Sequence, residues 1–447
     1  MIKDLIEYFE NKKILILGFG REGQSSYKLI RKYLDNQKLY IADQKLDFQN
    51  DFDFLEEDNN IACISGDNYL EHLDEYDIIL KSPGISFAQI DITNIRKKIK
   101  SQLELVLEFF NFFTIGITGT KGKSTTSSLI YQILKDQNVK CKLLGNIGIP
   151  IFDYVDTLDF DTTLVLELSS HQLEFIEKSP NIAVLLNIYP EHLDHYKSFD
   201  DYAEAKCNIY KNQSRIDWFF YGADNETLKE KVFNPTAKTY RVSLSDSEEN
   251  NLYIKNEMVY FNDDPIYDIN APKILKGDYN LNNIMFALGI AKVLELDMKK
   301  AEETIANFKS LPHRLEYVGN FDGVDYYDNS IGTIPMATIE AVKALKNVDT
   351  LIIGGMDRGI GYEELIDFIN NSDITNIVCM PKTGHDIAPY LNNNRAIIVE
   401  TLEEAVKVSK EKTAKGKICL LAPAAASYGF FKNFEEKGDM FQKLVRN

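Results

Sequence analysis

Short runs of β-branched and other apolar residues alternate with stretches of helical periodicity, and this alternation starts afresh three times along the chain. A strand buried on both faces reads as a continuous apolar run, so the pattern predicts three α/β series with parallel sheets. The first opens with Lys13-Ile14-Leu15-Ile16-Leu17 and continues through Leu39–Ala42 and Asp77–Leu80; a helix around Leu103–Leu107 leads out of it. The second has strands at Thr114–Ile117, Leu164–Leu166 and Ile182–Leu186. A polar, turn-rich stretch from Tyr240 to Asp268 predicts small antiparallel hairpins before a helix beginning near Asn280. The third places strands at Leu351–Ile353, Ile377–Val378 and Ile418–Leu421, with helices over Tyr362–Asn370 and Leu402–Lys412.

Composition narrows the class. A chain of 447 residues exceeds one hydrophobic core, and 44% hydrophobic with 26% charged residues describes folded protein. A formal charge of -18 argues against a nucleic-acid partner gripped by broad phosphate neutralisation. The start, Met1-Ile2-Lys3-Asp4-Leu5-Ile6-Glu7, has acids and no long apolar core, and no apolar run reaches membrane-spanning length. Five scattered cysteines without a CxxC spacing suit a reducing compartment and offer no zinc framework. The expectation is a cytoplasmic, monomeric protein with no membrane insertion.

The most informative stretch is Gly116-Ile117-Thr118-Gly119-Thr120-Lys121-Gly122-Lys123-Ser124-Thr125, between a strand and a helix beginning near Ser124. Glycines let backbone N–H groups converge on phosphate oxygens; Lys123 would neutralise the β/γ-phosphates and Ser124 offers a hydroxyl to Mg²⁺. The strict GxxxxGK[ST] pattern fails at Ile117. A ligand-free glycine turn is the bland alternative, and Gly-Lys-Ser-Thr in this context argues against it. Glu167, ending a strand, fits beside Ser124 as an oxygen ligand for Mg²⁺. Gly18-Phe19-Gly20-Arg21-Glu22-Gly23 with Asp43 at the end of the second strand forms a dinucleotide fingerprint. Alone, that fingerprint would suggest an NAD-dependent dehydrogenase.

Residues Thr118–Thr125 resemble the TGTxGK[ST]T loop of the Mur ligases and of the related folylpolyglutamate synthases. Further motifs follow in that family's order: Glu167-Leu168-Ser169-Ser170-His171-Gln172, Glu191-His192-Leu193-Asp194-His195, and Tyr202-Ala203-Glu204-Ala205-Lys206. The resemblance implies that Glu167 and His192 serve a metal and that Lys206 is carbamylated by CO₂, with Lys123, Glu167, His192 and Lys206 as the catalytic group. A lone glutamate or lysine is ordinarily a solvated surface residue; order and spacing lift these together. Gly277-Asp278-Tyr279-Asn280-Leu281-Asn282-Asn283 resembles the family's GxHNxxN with tyrosine for histidine, and Asn280 and Asn283 stand one helical turn apart. Leu311-Pro312-His313-Arg314-Leu315-Glu316 resembles its LPHRxE junction. ATP would thus meet Gly119, Thr120, Lys121, Gly122, Lys123, Ser124, Thr125, Asn280, Asn283 and Arg314.

In this family the first turn cradles a UDP diphosphate, which implies a UDP-substrate site at Gly18, Gly20, Gly23 and Asp43. The SPGI-like loop adds Ser82, Pro83 and Gly84, the GNIG-like Gly145-Asn146-Ile147-Gly148 adds Asn146, and Ser169 and Gln172 lie further along. Folylpolyglutamate synthases begin with the ATP domain, so the extra unit favours a UDP-linked acceptor. The implied architecture is α/β with three domains: a Rossmann-like UDP domain (1–105), a central P-loop ATPase-like domain (106–310) and a Rossmann-like C-terminal domain (311–447).

Leu421-Ala422-Pro423-Ala424-Ala425-Ala426-Ser427-Tyr428 with Phe431-Lys432-Asn433-Phe434-Glu435 resembles the C-terminal run of glutamate-adding members. Thr333, Arg358, Ser427, Tyr428 and Phe434 would then hold glutamate. Two departures stand out. The usual DSKATN reads Asn329-Ser330-Ile331-Gly332-Thr333-Ile334, without its aspartate and lysine, and Arg358 replaces a common lysine after Gly354-Gly355. Arginine can grip a carboxylate bidentately, and Asp357 is a candidate for part of the missing aspartate's role. The implied reaction uses ATP and Mg²⁺ to join glutamate, as the D- or the L-enantiomer, to UDP-N-acetylmuramoyl-L-alanine through an acyl phosphate. A ligase of the same superfamily with another substrate, a dehydrogenase, and a nucleotide-binding protein without catalysis are the alternatives.

Overall fold

The computed structural model describes residues 2–146, 150–191, 195–247, 249–275, 277–309, 312–357, 361–392, 395–427 and 429–447. They form two compact units, Met1–Ala271 with Asn282–Ile305, and Pro272–Leu281 with Ala306–Asn447. The three series of the sequence are three sheets, the first two within one unit.

The first sheet has strands β1 (Ile14–Leu17), β2 (Leu39–Asp43), β3 (Ile61–Ser65), β4 (Ile78–Lys81) and β5 (Ile99–Lys100), ordered β3-β2-β1-β4-β5 and all parallel. All four residues of β1 are buried, which is why it reads Ile-Leu-Ile-Leu without alternation. The order reverses between β1 and β4, so the turns after Leu17 and Lys81 open one crevice at the carboxyl ends. Edge strand β3, Ile-Ala-Cys-Ile-Ser, is half-buried throughout and carried too little periodicity to be read from the sequence.

The second sheet runs through β6 (Thr114–Thr118), β7 (Cys141–Gly145), β8 (Thr163–Glu167), β9 (Ile182–Leu185), β10 (Trp218–Gly222), β11 (Lys238–Val242), β12 (Leu252–Lys255), β13 (Met258–Phe261) and β14 (Asp264–Asp268). Its order is β14-β13-β12-β11-β10-β9-β6-β8-β7, with β6 between β8 and β9 at the switch point. The expected hairpins lie at β12–β14, antiparallel, but they extend this sheet, and Tyr240 belongs to a strand parallel to β10. Buried Val242, Leu252, Val259 and Tyr267 give that extension its apolar face.

In the second unit β15 (Glu316–Phe321), β16 (Val324–Asp328), β17 (Val348–Ile353), β18 (Asn376–Cys379), β19 (Ala396–Ile398) and β20 (Ile418–Leu421) are ordered β15-β16-β20-β17-β18-β19. Antiparallel β15 joins β16 through Asp322-Gly323, both at positive φ, the backbone that a two-residue hairpin turn requires. The rest of the sheet is parallel, with β20 at the centre, so the Ala422–Ser427 run leaves its carboxyl edge. The helices expected at 362–370 and 402–412 are Glu363–Asn370 and Leu402–Lys412. Helices Pro335–Leu345 and Phe434–Arg446 complete the layers.

Candidate functional site

At the switch point of the second sheet, β6 ends at Thr118 and the loop Gly119–Gly122 feeds helix Lys123–Asp136. Gly122, at φ 87, precedes the helix, and a Cβ there would lie 2.5 Å from the Asn283 Oδ1 that accepts the Thr126 hydroxyl. The segment after β9 fixes the loop from outside. Thr120 N donates to Asn187 O and Lys121 N to Asn187 Oδ1, while Tyr189 N donates to Thr120 Oγ1, itself 2.8 Å from the Tyr202 hydroxyl. This bonding shapes the loop before any ligand is bound, which lowers the cost of ordering it around a phosphate chain.

Two lysine amino groups converge within this shape. Lys123 Nζ donates to Gly119 O at 2.9 Å and to Thr120 O at 3.0 Å, and Lys206 Nζ donates to the same Gly119 O at 3.0 Å. Lys206 comes from helix Phe199–Lys211 and is 2% exposed. Burial, reinforced by the neighbouring Lys123 charge and opposed by Glu191 and Cys207, holds its amine well below the usual lysine range. A neutral, buried amine is a nucleophile and suits addition to CO₂. The Lys123 cation at a helix N-terminus makes a place for concentrated negative charge.

Glu167 ends β8 and is 2% exposed. Its Oε1 accepts from Asn146 Nδ2 at 2.8 Å, whereas buried Oε2 has no hydrogen-bond partner among the described residues. A carboxylate oxygen stripped of water and donors is costly unless a cation meets it, so the site fits a hard divalent ion, with Ser124 on the first turn of the loop helix as a second oxygen. His192, the expected third member, lies outside the described residues. Asn280 and Asn283 are both buried on helix Asp278–Val293, and Arg314 neighbours Tyr279 in the second unit.

The first sheet's turn is built from the same parts with opposite charge. A Cβ on Gly23 would lie 2.1 Å from Gly18 O, so helix Arg21–Tyr33 can pack this closely only with glycine there. Around Gly20 and Gly84 an added Cβ meets nothing within 4 Å, which leaves their surfaces open to a ligand. Ser82 Oγ donates to Gly18 O at 2.7 Å, tying the SPGI-like loop to the turn. Asp43 Oδ2 accepts from Phe19 N at 2.7 Å and Oδ1 from Lys45 N at 2.9 Å, so this acid braces the turn itself.

Ser169 and Gln172 form a reciprocal capping box on helix Ser170–Leu173, and Gln172 Nε2 also donates to Glu22 Oε1 at 2.7 Å. A cavity of about 150 Å³ lies alongside, lined in part by Arg21, Glu22, Pro83, Asn146 and Gln172. Glu22 is a residue the sequence reasoning passed over inside its own motif. Pro83 and Asn146 thus meet Gln172 at one cavity.

In the second unit, Ser427 is 3% exposed with Oγ buried and unpartnered among the described residues, and Phe434 opens helix Phe434–Arg446. Thr333 N donates to Ile331 O. Arg358 and Tyr428 lie outside the described residues. Asp357 is exposed. Asp328, one residue before Asn329, is a buried acid that the sequence reasoning did not single out: it accepts from His313 Nδ1 at 2.8 Å, Ser330 N at 2.9 Å and Gln442 Nε2 at 3.1 Å. A second residue missed is Lys437, 1% exposed, whose Nζ donates to Gly354 O at 2.9 Å and which burial pushes down to about 8. Its signal was the Glu-Glu-Lys-Gly continuation of the Phe434 motif.

Comparison with known proteins adds an independent line. The Mur ligase middle domain matches residues 117–291. The chain is 34% identical to UDP-N-acetylmuramoylalanine--D-glutamate ligase of Clostridioides difficile, over 98% of this chain and 99% of that protein. It is 32% identical to the protein of the same name in Koribacter versatilis, over 97% of each. Among solved structures, UDP-N-acetylmuramate-alanine ligase MurC of Thermotoga maritima aligns with a TM-score of 0.59 at 18% identity, covering 98% of this chain and 99% of that one.

Proposed function

This chain belongs to the Mur ligase family, and from that membership we propose that it joins D-glutamate to UDP-N-acetylmuramoyl-L-alanine at the expense of ATP. The observation that carries the reading is the pair of lysine amino groups on the Gly119 carbonyl, next in the fold to the buried, half-unpartnered Glu167 carboxylate. Such a place suits a triphosphate and the carboxylate it activates. The names of the full-length relatives favour the D-enantiomer.

The terminal carboxylate of the UDP-linked acceptor attacks the γ-phosphorus of ATP, ADP leaves, and an acyl phosphate forms. The glutamate amine then attacks its carbonyl carbon and phosphate departs. Lys123 and the loop N–H groups offset charge on the transferred phosphoryl, so catalysis here is positioning and electrostatics. Ser124, Glu167 and His192 would hold Mg²⁺, which supplies further charge neutralisation at the phosphates. Lys206 takes up CO₂ as the neutral amine and releases a proton, which turns an uncharged group beside Lys123 into a counter-charge. Asn280, Asn283 and Arg314 complete the ATP site; Arg358, Thr333, Ser427, Tyr428 and Phe434 receive glutamate.

We further assign the three sheets to three functional domains, 1–105, 106–310 and 311–447, and place the enzyme in the cytoplasm as a monomer. No helix among the described residues is long and apolar enough to cross a membrane. The test is phosphate release on mixing ATP, UDP-N-acetylmuramoyl-L-alanine and D-glutamate. Release that needs all three, with L-glutamate inert, is expected. Equal turnover with L-glutamate refutes the enantiomer, and release that ignores the UDP acceptor refutes the substrate.

A further inference from the structure

Resting on the reading of the first unit as the UDP-substrate site, we propose that Glu22 is a specificity-determining residue that meets the substrate in the cavity as the neutral acid, so that binding takes up one proton. Glu22 Oε1 is committed to the Gln172 amide at 2.7 Å, which leaves Oε2 for the cavity that both residues line. No cation reaches salt-bridge distance of this carboxyl among the described residues. The cation whose charge acts on it, Lys81, is 5% exposed and already paired with Glu174 at 3.3 Å, which also contacts His195 Nε2 at 3.3 Å.

An ionised carboxylate with no counter-ion, facing a substrate that carries a diphosphate and a carboxylate, adds repulsion to the cost of its own desolvation. Protonated, the same group becomes a donor: Oε2–H meets an acceptor oxygen of the substrate while Oε1 keeps the Gln172 amide. Burial raises the free carboxyl to about 7, against the pull of the Gln172 hydrogen bond and the Lys81 charge, so the proton is at hand near neutrality. The other charged or titratable groups on the surrounding elements are Arg21 on the same helix, Lys81 after β4, His171 on the Gln172 helix, the Glu174–His195 pair, and Glu167 beside Asn146. The substrate's diphosphate, a diester, has no proton to lose in this range.

Calorimetric titration of the full chain with UDP-N-acetylmuramoyl-L-alanine, in two buffers of different ionisation enthalpy, reads the proton directly and needs no variant. Uptake approaching one proton is expected at about pH 8, with affinity weakening up to about tenfold per pH unit above 7. Glu22→Gln, which keeps the shape and both hydrogen-bonding functions, is expected to abolish the uptake, flatten the slope, and leave affinity at low pH within a few-fold of wild type. Persistence of the same uptake and slope in Glu22→Gln would assign the proton to Lys81 or His195 and overturn the proposal. So would binding that strengthens as pH rises, since the ionised carboxylate would then be the ligand. Absence of any UDP-substrate binding would overturn the reading beneath it as well, an outcome distinct from binding without proton uptake.

Discussion

Two strand–glycine–helix turns stand at the switch points of the first unit's two sheets, one after β1 and one after β6, and they differ chiefly in the charges that surround them. Each leaves its strand at a switch point, carries a positive-φ glycine, and opens a helix whose N–H groups face a crevice. Around Gly119–Gly122 stand Lys123 and Lys206, both donating to one carbonyl; around Gly18–Gly23 stand Glu22 and Asp43, an acid lining a cavity and an acid bracing the turn. Glycine spacing therefore specifies a backbone shape that suits phosphates in general. On the proposed reading, the titratable groups lodged in that shape separate a turn that handles a phosphoryl group under transfer from one that only carries a diphosphate.

The comparison breaks most visibly at Lys123. Lys123→Ala removes the cation expected at the transferred phosphoryl, and ATP-dependent ligation should fall about a thousandfold, with affinity for the UDP substrate little changed. Near-wild-type turnover would mean that the turn after β6 binds without catalysing. Next comes Lys206→Ala, where the wild-type amine is buried and held below its usual range. Turnover should drop about a hundredfold and recover in part with formate or acetate, because the missing group is an anion. Loss without rescue would leave the lysine needed but as an amine.

The fold and the glycine-lysine loop after β6 were legible for a physical reason: buried parallel strands show unbroken apolar runs, and phosphate loops need glycine and lysine at set spacings. Ile14–Leu17, Thr114–Thr118 and Ile418–Leu421 were readable from that alone. What escaped had weaker or misleading signals. Edge strand Ile61–Ser65 is half-buried and small-residued, and Trp218–Gly222 is an aromatic run without a β-branched residue. Asp328 was missed because the motif comparison drew attention to Asn329, whereas its burial and its contact with His313 are visible only in three dimensions. Glu22 was hidden by a motif whose intervening positions are written as x.

Gly23→Ala tests the shape shared by the two turns. The added carbon would sit 2.1 Å from Gly18 O, a backbone atom that cannot swing aside, so the helix must retreat. Overpacking of this kind costs about 1–3 kcal/mol. The KM for the UDP substrate should rise about tenfold while that for ATP stays put, since the turn after β6 is left intact. A parallel rise in both constants would show that the two crevices are mechanically coupled.

The smallest expected effect is the most discriminating for the acid side of the comparison. In a dinucleotide fold the acid after the second strand is expected to reach a ribose hydroxyl, yet Asp43 places Oδ2 on Phe19 N and Oδ1 on Lys45 N. Asp43→Asn keeps one carbonyl oxygen that can still accept from Phe19 N, but the bond loses its charge assistance, a difference of about 1 kcal/mol. If the acid chiefly braces the turn, the first unit's thermal midpoint should fall by about 2 °C. The KM for the UDP substrate should then rise by no more than about fivefold, because weaker bracing is offset by removal of a negative charge near a diphosphate. An unchanged midpoint with a KM increase above about tenfold would place Asp43 on the ligand instead. Both acids of the first turn would then read the substrate, and the two turns would differ in which part of their ligand they recognise as well as in the sign of the charge they carry.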